Sequence, residues 1–340
     1  MSAAEDRQKE IQQSEIDERL AGAEEMMKGE KVKLPDDVLA NAVEGLRKIS
    51  EKLEKRLPVY ESDFDFVEEL EDVVRLGSQY KEVMANLKEC GLYNPEDVEN
   101  EGIPPTQEEV IREVRANLTE SQKEAIAQMK EPTLLVMPIK KMTNYWTALN
   151  KNMPMVVNGR YQATVHVSPT TEEIFQQTDA SEKVRTMDKM KKGKTKSWRI
   201  VITEGAAEPK LLKGDGNNET FENRLDWFTE NYVKKGINGM DYKSWMLLQI
   251  LKFSKNPPQP IDKDSPTLLN GTLFDKGSVE MVFWSDQKCQ IIMGNRMVDG
   301  KNAAAHFRPT VVIEPPSNIN KLLNYVRNKR DARTKRNTTR

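Results

Sequence analysis

The chain has 340 residues, of which 37% are apolar and 31% are charged, and its formal net charge at pH 7 is −2. It is long enough for two domains with at least one sizeable core, and it has no run of eighteen apolar residues that could cross a membrane. The acidic N-terminal stretch lacks the apolar segment of a secretion signal, and Cys90 and Cys289 form no CxxC pattern. We therefore expect a cytoplasmic protein without a membrane span.

Charge is distributed unevenly along the chain. Residues 1–130 hold 32 acidic and 18 basic residues, whereas residues 131–340 hold 22 and 34. The last twenty residues, 321–340, contain eight basic residues and one acidic residue. Such a tail could bind nucleic acid through the phosphates, remain solvated, or dock on the acidic half of the protein. No aromatic stacking set accompanies it, so nucleic-acid binding is an alternative and not the first prediction.

The first 130 residues predict an all-helical module. Residues 36–57 carry apolar side chains at spacings of mostly three or four, as on one buried helical stripe. The members of this stripe are Val38, Leu39, Val43, Leu46, Ile49, Leu53 and Leu57. The period recurs in DFDFVEELEDVVRLGSQYKEVMANLKEC, which Gly91 ends, in PTQEEVIREVRANL, and in TESQKEAIAQMK, which begins at Thr119. The first 28 residues are poor in large apolar side chains, so we expect them to fray or to pair only in an oligomer. Packing within the module is the first interpretation of the stripes, and self-association is the alternative.

From Glu131 onward, short apolar runs alternate with turn residues. The pattern predicts strands at PTLLVMP, GRYQATVHV, SWRIVITEG, SPTLLNG, VEMVFW, CQIIMG and FRPTVVIE. It predicts helices at MTNYWTALNKN, TTEEIFQQ, TFENRLDWFTENYVKKG and MDYKSWMLLQILKFS, and a turn at KGDGNNET. The predicted fold class is α+β, with a helical N-terminal module at 1–130, a domain of short antiparallel strands and two flanking helices at 131–316, and a basic tail at 317–340.

Motifs for catalysis or metal binding are weak. The GKT at 193–195 lacks the earlier glycine of a phosphate-binding loop. A nucleophile pair of Cys289 and His306 is conceivable, but a cysteine in a strand is usually inert core. Asp262 and Asp264 suggest calcium only if further oxygen ligands join them, and a solvated turn is the favoured interpretation. We therefore expect that the protein is not an enzyme and that it binds neither a cofactor nor a metal.

Several segments, taken in order, resemble a known family. WRIVITEGAAEPKLLKGD, DWFTENYVKKGINGMDYKSWMLLQIL, TLLNG and the final FW…G…HFRPTVVIE are similar to the C-terminal domain of target proteins of diversity-generating retroelements. The resemblance covers residues 131–315 and implies a C-type-lectin-like fold, related to that of formylglycine-generating enzymes. In this family a reverse transcriptase rewrites a short C-terminal stretch, mainly at codons containing adenine. The rewritten side chains form a ligand-binding surface on a fixed scaffold, whose final strand would here be FRPTVVIE.

The stretch between VEMVFW and FRPTVVIE follows no amphipathic period. Mixed polar and apolar side chains on loops held by a stiff scaffold are typical of a binding surface. We predict that the ligand-binding residues are Trp284, Ser285, Asp286, Gln287, Gln290, Asn295, Arg296, Met297, Asp299 and Asn302, while Trp284, Ile291, Phe307, Val311 and Ile313 also look like core positions. An ordinary β-hairpin followed by a long loop is the alternative. Rewriting the adenines of an AAC codon never yields Met, Gln or Lys, so Gln287, Gln290, Met293, Met297 and Lys301 fit the family pattern less well.

The resemblance and the residues together predict non-catalytic recognition. Residues 284–306 would contact an unknown protein or surface ligand, and the N-terminal helices would present that surface or associate with a partner. Two alternatives remain open: nucleic-acid binding through the basic tail, and a degenerate enzyme of the formylglycine-generating type. The relatives with that oxidase activity need a cysteine pair in this domain, whereas Cys289 is alone there.

Overall fold

The structure is a computed structural model, and the chain divides into two compact units. The helical unit comprises Met1–Ala85 and Pro105–Arg112, and the sheet unit comprises Asn86–Pro104 and Glu113–Arg340. The division therefore falls before the change of sequence pattern at Glu131. The residues that the structure describes are 13–28, 32–96, 103–153, 156–157, 160–161, 164–168, 198–207, 209, 220–263, 266–269, 278–285, 287–288, 290–297 and 305–313.

The N-terminal part of the chain is helical, as predicted. Its elements are α1 (Gln13–Lys28), α2 (Asp36–Glu54), a 3₁₀ turn (Glu61–Phe64), α3 (Asp65–Glu89), α4 (Gln107–Asn117) and α5 (Glu120–Ala127). Gly91 follows α3 with a φ of +78°, a value that glycine adopts without steric cost, so this predicted stop is confirmed. Thr119 caps α5: its hydroxyl accepts the Gln122 backbone N–H, and the Gln122 side chain accepts the Thr119 N–H in return.

The buried face of α2 differs from the predicted stripe. Val38 and Ile49 are buried, but Leu39 and Val43 are 38% and 53% exposed. The reason is the position of the Phe66 ring, which lies so close to Gly45 that a Cβ at residue 45 would be 2.2 Å from the ring. Because Ala42 and Gly45 are small, the helix that carries Phe66 packs against their side of α2. The larger side chains Leu39 and Val43 lie on the other side and stay partly exposed.

Helix α1 packs on its own chain, contrary to the expectation that it would fray or need an oligomer. Ile16 and Ala23 are buried, at 3% and 0% exposure. The Arg19 guanidinium lies 5.2 Å from the centre of the Phe64 ring, a favourable cation–π distance. It also donates to Glu61 at 2.7 Å. Burial of Ile16 and Ala23, together with the contacts of Arg19, therefore holds α1 in place although the segment has few large apolar side chains.

The sheet unit contains two four-stranded sheets. In the first sheet the order is β1-β5-β10-β6, and every pairing is antiparallel. In the second the order is β4-β9-β8-β7, and β4 runs parallel to β9. The strands are β1 (Pro132–Pro138), β2 (Val156–Val157), β3 (Arg160–Tyr161), β4 (Thr164–Val167), β5 (Trp198–Glu204), β6 (Asn238–Gly239), β7 (Thr267–Leu268), β8 (Ser278–Ser285), β9 (Gln290–Met297) and β10 (Pro309–Ile313).

Strands are present in all seven runs that predicted them, and the α+β class is confirmed. The parallel β4–β9 pair departs from the antiparallel prediction, because a local apolar pattern carries no information on the direction of a distant partner strand. The helices of this unit after α5 are α6 (Met142–Lys151), α7 (Phe221–Asn231) and α8 (Tyr242–Phe253), with a 3₁₀ turn at Val233–Lys235. The predicted helix at 170–177, the tail at 317–340 and most of the turn at 213–220 lie outside the described residues.

Helix α8 is buried on every side and lies between the two sheets. All twelve of its residues are buried. The Ser244 hydroxyl contacts the sulfur of Met137 in β1 at 3.4 Å, and the Phe253 ring meets Trp284 of β8 edge-on at 5.9 Å. The helix begins at Asp241, whose carboxylate accepts the Ser244 N–H at 2.8 Å. An enclosed helix therefore takes the place of one of the two predicted flanking helices.

Among the residues that the structure describes, no helix combines the length and the apolar character required to cross a membrane.

Candidate functional site

The predicted recognition segment, residues 284–306, begins in a β-hairpin. Strands β8 and β9 pair along their full length, with Ser285 opposite Gln290 at the tip. The Ser285 hydroxyl accepts the Lys288 backbone N–H at 3.3 Å and so closes the turn. The stretch that follows no clear period in the sequence is thus partly a regular strand, as the hairpin alternative predicted. Residues 298–304 lie outside the described residues.

One face of this hairpin belongs to the apolar core of the sheet unit. Trp284 lies opposite Ile291 and Val282 lies opposite Met293, and all four side chains are buried. Cross-strand pairs of large apolar side chains stabilise a sheet and set its register. The core positions Trp284, Ile291, Phe307, Val311 and Ile313 are all buried, so this part of the prediction is confirmed.

The structure places the predicted ligand-binding residues in different environments. Trp284 and Ser285 are buried, at 0% and 6% exposure, so neither is available as a surface contact, and their place in the predicted binding set has to be corrected. Gln287 is exposed and Gln290 is half-buried. The backbones of Asn295, Arg296 and Met297 lie in β9, opposite Glu280, Val279 and Ser278. Asp286, Asp299 and Asn302 lie outside the described residues.

Asp262 holds both ends of the recognition segment. At the N-terminal end, its carbonyl oxygen accepts the Trp284 backbone N–H at 3.0 Å. At the C-terminal end, its carboxylate contacts His306 Nε2 at 2.8 Å and accepts from Arg308 Nε at 3.0 Å and from Arg308 Nη2. One fully buried residue therefore contacts the chain at both ends of the segment, at Trp284 in β8 of the second sheet and at Arg308, directly before β10 of the first sheet.

Three elements converge on this carboxylate. Trp245 of α8 donates its indole N–H to Asp262 at 2.7 Å. Arg308 Nη1 donates to the carbonyls of Glu204, the last residue of β5, and of Ala206, at 2.8 Å each. We call Asp262, Trp245, Thr267, His306 and Arg308 the Asp262 cluster. Because each buried polar group in it has a partner, the cluster fixes one arrangement of α8, β5 and the recognition segment.

The backbone and the charge of Asp262 both depend on these partners. Its φ of +57° lies in the left-handed region, which aspartate tolerates better than most residues but still at a cost. Its N–H donates to the Ala207 carbonyl at 3.0 Å, which holds that conformation. Burial raises the pKa of its carboxyl, but the Arg308 charge and the contacts with His306 outweigh this, so the pKa is held well below its usual range. The carboxylate is therefore charged, buried and paired.

His306 has a structural environment, unlike that of a catalytic base. A relay of the serine-hydrolase kind uses one ring nitrogen for the acid and the other for the hydroxyl. Here Nε2 alone meets both groups, Asp262 at 2.8 Å and the Thr267 hydroxyl at 3.0 Å. The residue is 2% exposed, and its backbone pairs with Pro266 and Leu268. Cys289, its conceivable nucleophilic partner, lies outside the described residues.

The sequence did not reveal the role of Asp262. In PIDKDSP it was interpreted as part of a solvated turn or, less favoured, as a calcium ligand, yet it is fully buried. Its oxygens contact protein donors, and the described residues contain no group of three or more His, Cys, Asp or Glu that could hold a metal ion. Two of its partners, His306 and Arg308, lie 44 and 46 residues further along the chain. In the sequence, the one hint of a buried acidic partner is the pair of basic side chains His306 and Arg308 in HFR, and such a pair is common.

Arg224 of α7 also fastens the C-terminal end of the segment. Its Nη1 donates to the carbonyl of Ala305 at 2.5 Å, and the side chain is 5% exposed. Ala305 belongs to a core cluster with Phe221, Phe228 and Phe307. The end of the segment is thus packed as well as hydrogen-bonded.

Comparisons of the chain with protein-family models, with curated proteins and with solved structures gave no match.

Proposed function

We propose that the sheet unit is a non-catalytic recognition module that presents side chains of residues 284–306 to a protein or surface ligand. The contact residues would come from the exposed hairpin tip, represented by Gln287, and from the stretch that follows β9. The buried members, Trp284 and Ser285, would support the tip from below.

The observation that carries this proposal is the attachment of both segment ends to Asp262. A binding surface whose side chains vary needs a scaffold whose geometry does not depend on them. The Trp284 N–H and the Arg308 guanidinium bind the same buried residue, 3.0 Å away in each case. Because these contacts lie outside the segment or at its limits, substitutions between the limits leave the attachment intact.

The resemblance to target proteins of diversity-generating retroelements supports the same proposal. In that family a fixed final strand follows the diversified stretch, and FRPTVVIE would be that strand. Here Phe307 and Arg308 lead into β10, which pairs with both β5 and β6. A C-type-lectin-like arrangement of the two sheets belongs to this proposal.

A pair of display libraries tests the proposal. The first randomises Asp286, Gln287, Gln290, Asn295, Arg296 and Asn302 in the full chain. The second, the matched control, randomises Asp262, His306 and Arg308. Most members of the first library should resist proteolysis as the parent does, because the proposal puts these side chains at the surface, where substitutions change stability by only about 0.5 kcal/mol. Few members of the second should, because each breaks a buried charged network.

Selection of the first library on a panel of purified proteins should then enrich binders with different segment sequences. Equal sensitivity of the two libraries to protease would show that residues 284–306 are part of the core, and the proposal would fail. A reverse-transcriptase gene beside the coding sequence, together with a near-copy of the 284–306 stretch that differs only at adenines, would establish the link to a retroelement.

A further inference from the structure

Helix α2 carries more apolar side chains than the helical unit buries. Among the described residues of this unit, the large apolar side chains that stay exposed are Leu39, Val43 and Leu57, at 38%, 53% and 51%. Two of them lie in α2, and the third follows its C-terminal end. Single exposed apolar residues are ordinary on a protein surface, but a group of them on one element is typical of a contact with another molecule.

The exposed apolar side chains of α2 belong to a stripe with a regular period. Leu39, Val43, Leu46, Ser50 and Leu53 follow one another at spacings of four, three, four and three residues. We call these five residues the α2 stripe. The spacing is the one at which a helix packs along a second helix, with each side chain inserted between those of the partner. At 1.5 Å per residue the stripe extends over about 21 Å.

The α2 stripe is distinct from the face of α2 that packs inside the helical unit. The buried residues of α2 are Val38, Ala42 and Ile49, at 1%, 0% and 0% exposure. None of them belongs to the stripe, whose members are all exposed or half-buried. A second helix can therefore pack on the stripe while α2 keeps its contacts within its own unit.

The charges beside the stripe are complementary to themselves. Arg47 and Glu54 each follow a leucine of the stripe and are seven residues apart, so they border it on the same side. Arg47 lies three residues before Ser50, and Glu54 lies four residues after it. If a second α2 runs antiparallel about a two-fold axis near Ser50, Arg47 of each copy faces Glu54 of the other. Ser50 also has the smallest side chain of the stripe, so the two helices can approach each other there.

We propose that α2 is the contact of a homodimer, in which the α2 stripes of two copies of this chain pack antiparallel about an axis near Ser50. A two-fold contact needs a surface that is complementary to itself, and the stripe with Arg47 and Glu54 beside it meets that requirement. The contact is small, so we expect a dissociation constant in the micromolar range. The proposal goes beyond the recognition function and does not depend on it. The dimer would carry two recognition segments.

Sedimentation velocity of the full chain, at concentrations from about 2 to 200 µM, tests the dimer. The mass should rise with concentration from that of one chain towards that of two. A mass of one chain over the whole range would overturn the proposal.

Val43→Glu tests whether the α2 stripe forms the contact. It places a carboxylate of each copy in the apolar contact, so the affinity should fall about tenfold or more. Because Val43 is 53% exposed, the single chain should fold as the parent does, which far-UV circular dichroism verifies. Ile103→Glu is the matched control, since Ile103 is 78% exposed and belongs to the sheet unit. It should dimerise like the parent. Unchanged affinity in Val43→Glu would contradict the proposal.

Charge reversal tests the antiparallel arrangement. Arg47→Glu and Glu54→Arg should each weaken the dimer about threefold to tenfold, because each places like charges opposite one another at both ends of the axis. The double variant has opposite charges across the axis again, so its affinity should return to within about threefold of the parent. A double variant that dimerises no better than the single variants would rule out the antiparallel contact.

Disulfide cross-linking locates the axis. A disulfide needs Cα atoms about 4.4–6.8 Å apart, a distance that equivalent residues of two copies reach only near the two-fold axis. In a Cys289→Ser background, Ser50→Cys should therefore form a covalent dimer on mild oxidation. Lys48→Cys is the control, because Lys48 is exposed on another side of α2, and it should stay monomeric. Cross-linking of Lys48→Cys in place of Ser50→Cys would overturn the arrangement. The libraries that test the recognition function are unaffected by any of these results.

Discussion

The helical unit and the sheet unit differ in the most buried ion pair that each contains among the described residues. In the helical unit, Arg47 pairs with Glu44 and Glu51 on the surface of α2, with about half of each side chain exposed. In the sheet unit, Arg308 and Asp262 pair with no exposed surface at all. Exposed pairs contribute little to stability because water screens them, whereas breaking a buried pair leaves a charge without solvent or partner.

This difference shows how each unit specifies its structure. Helices are specified by local period, caps and apolar packing, so surface charges can change with little consequence. The sheet unit has short strands and long connections, and there the Asp262 cluster fixes the ends of the connections. We therefore expect large effects of polar substitutions in the sheet unit and large effects of steric substitutions in the helical unit.

The largest effect is expected for Arg308→Met. It removes the donors to Asp262, Glu204 and Ala206 and leaves a buried carboxylate with fewer partners, so the sheet unit should lose about 3–5 kcal/mol of unfolding free energy. All five tryptophans lie between residues 146 and 284, within the sheet unit. Urea unfolding followed by tryptophan fluorescence therefore reports this unit.

Arg47→Met is the matched control for that experiment. Arg47 lies in the helical unit and its partners stay solvated, so the tryptophan transition should not move. If Arg308→Met unfolded at the same urea concentration as the parent, the Asp262 cluster would not be a main source of stability in the sheet unit.

A smaller effect in the same cluster is expected from acid. The folded-state pKa of Asp262 is held below the unfolded value of about 3.9. The stabilisation is therefore present above pH 4 or so and is lost as the pH falls through and below that value. The urea midpoint of the tryptophan transition should drop between about pH 5 and pH 3. Asp262→Asn should show a shallower drop, although not a flat one, because the pKa of Asp241 is also lowered. Equal slopes in the two proteins would contradict the assignment.

A steric change in the helical unit is expected to come next. At Gly45 an added Cβ would meet the Phe66 ring at 2.2 Å. Gly45→Ala should therefore destabilise the helical unit by about 1–2 kcal/mol, although alanine is the better helix former. In Gly22→Ala, where nothing lies within 4 Å, the same substitution should stabilise by about 0.5–1 kcal/mol. Far-UV circular dichroism in urea measures both, and a shift of the same sign in the two variants would contradict the packing of α2.

The smallest effect is expected at the cap of α5. Thr119→Ala removes the acceptor of the Gln122 N–H and should cost about 1 kcal/mol. Ser121→Ala lies one residue inside the same helix and should leave the unfolding free energy within about 0.5 kcal/mol of the parent. Tryptophan fluorescence follows both variants, since α5 belongs to the sheet unit. A larger loss in Ser121→Ala than in Thr119→Ala would show that the cap is not the stabilising contact.

Much of the local structure could be predicted from the sequence. The helix positions, the helix start at Thr119, the Gly91 stop and the core positions Trp284, Ile291 and Phe307 all appear where the pattern placed them. The hairpin that opens the recognition segment was recognised only as an alternative. Its second strand carries Gln290, Gly294 and Asn295 among apolar residues, so its period is hidden.

The amino-acid sequence by itself determined which segments are helices and which are strands, because these depend on neighbours within a few positions. The tertiary structure decided which face of α2 is buried, since Phe66 packs over a glycine that no hydrophobicity pattern marks. It also decided that Asp262 is a buried support and not a solvated turn residue. The carboxylate is stable there only because Trp245, His306 and Arg308, distant in the chain, bring their donors to one point.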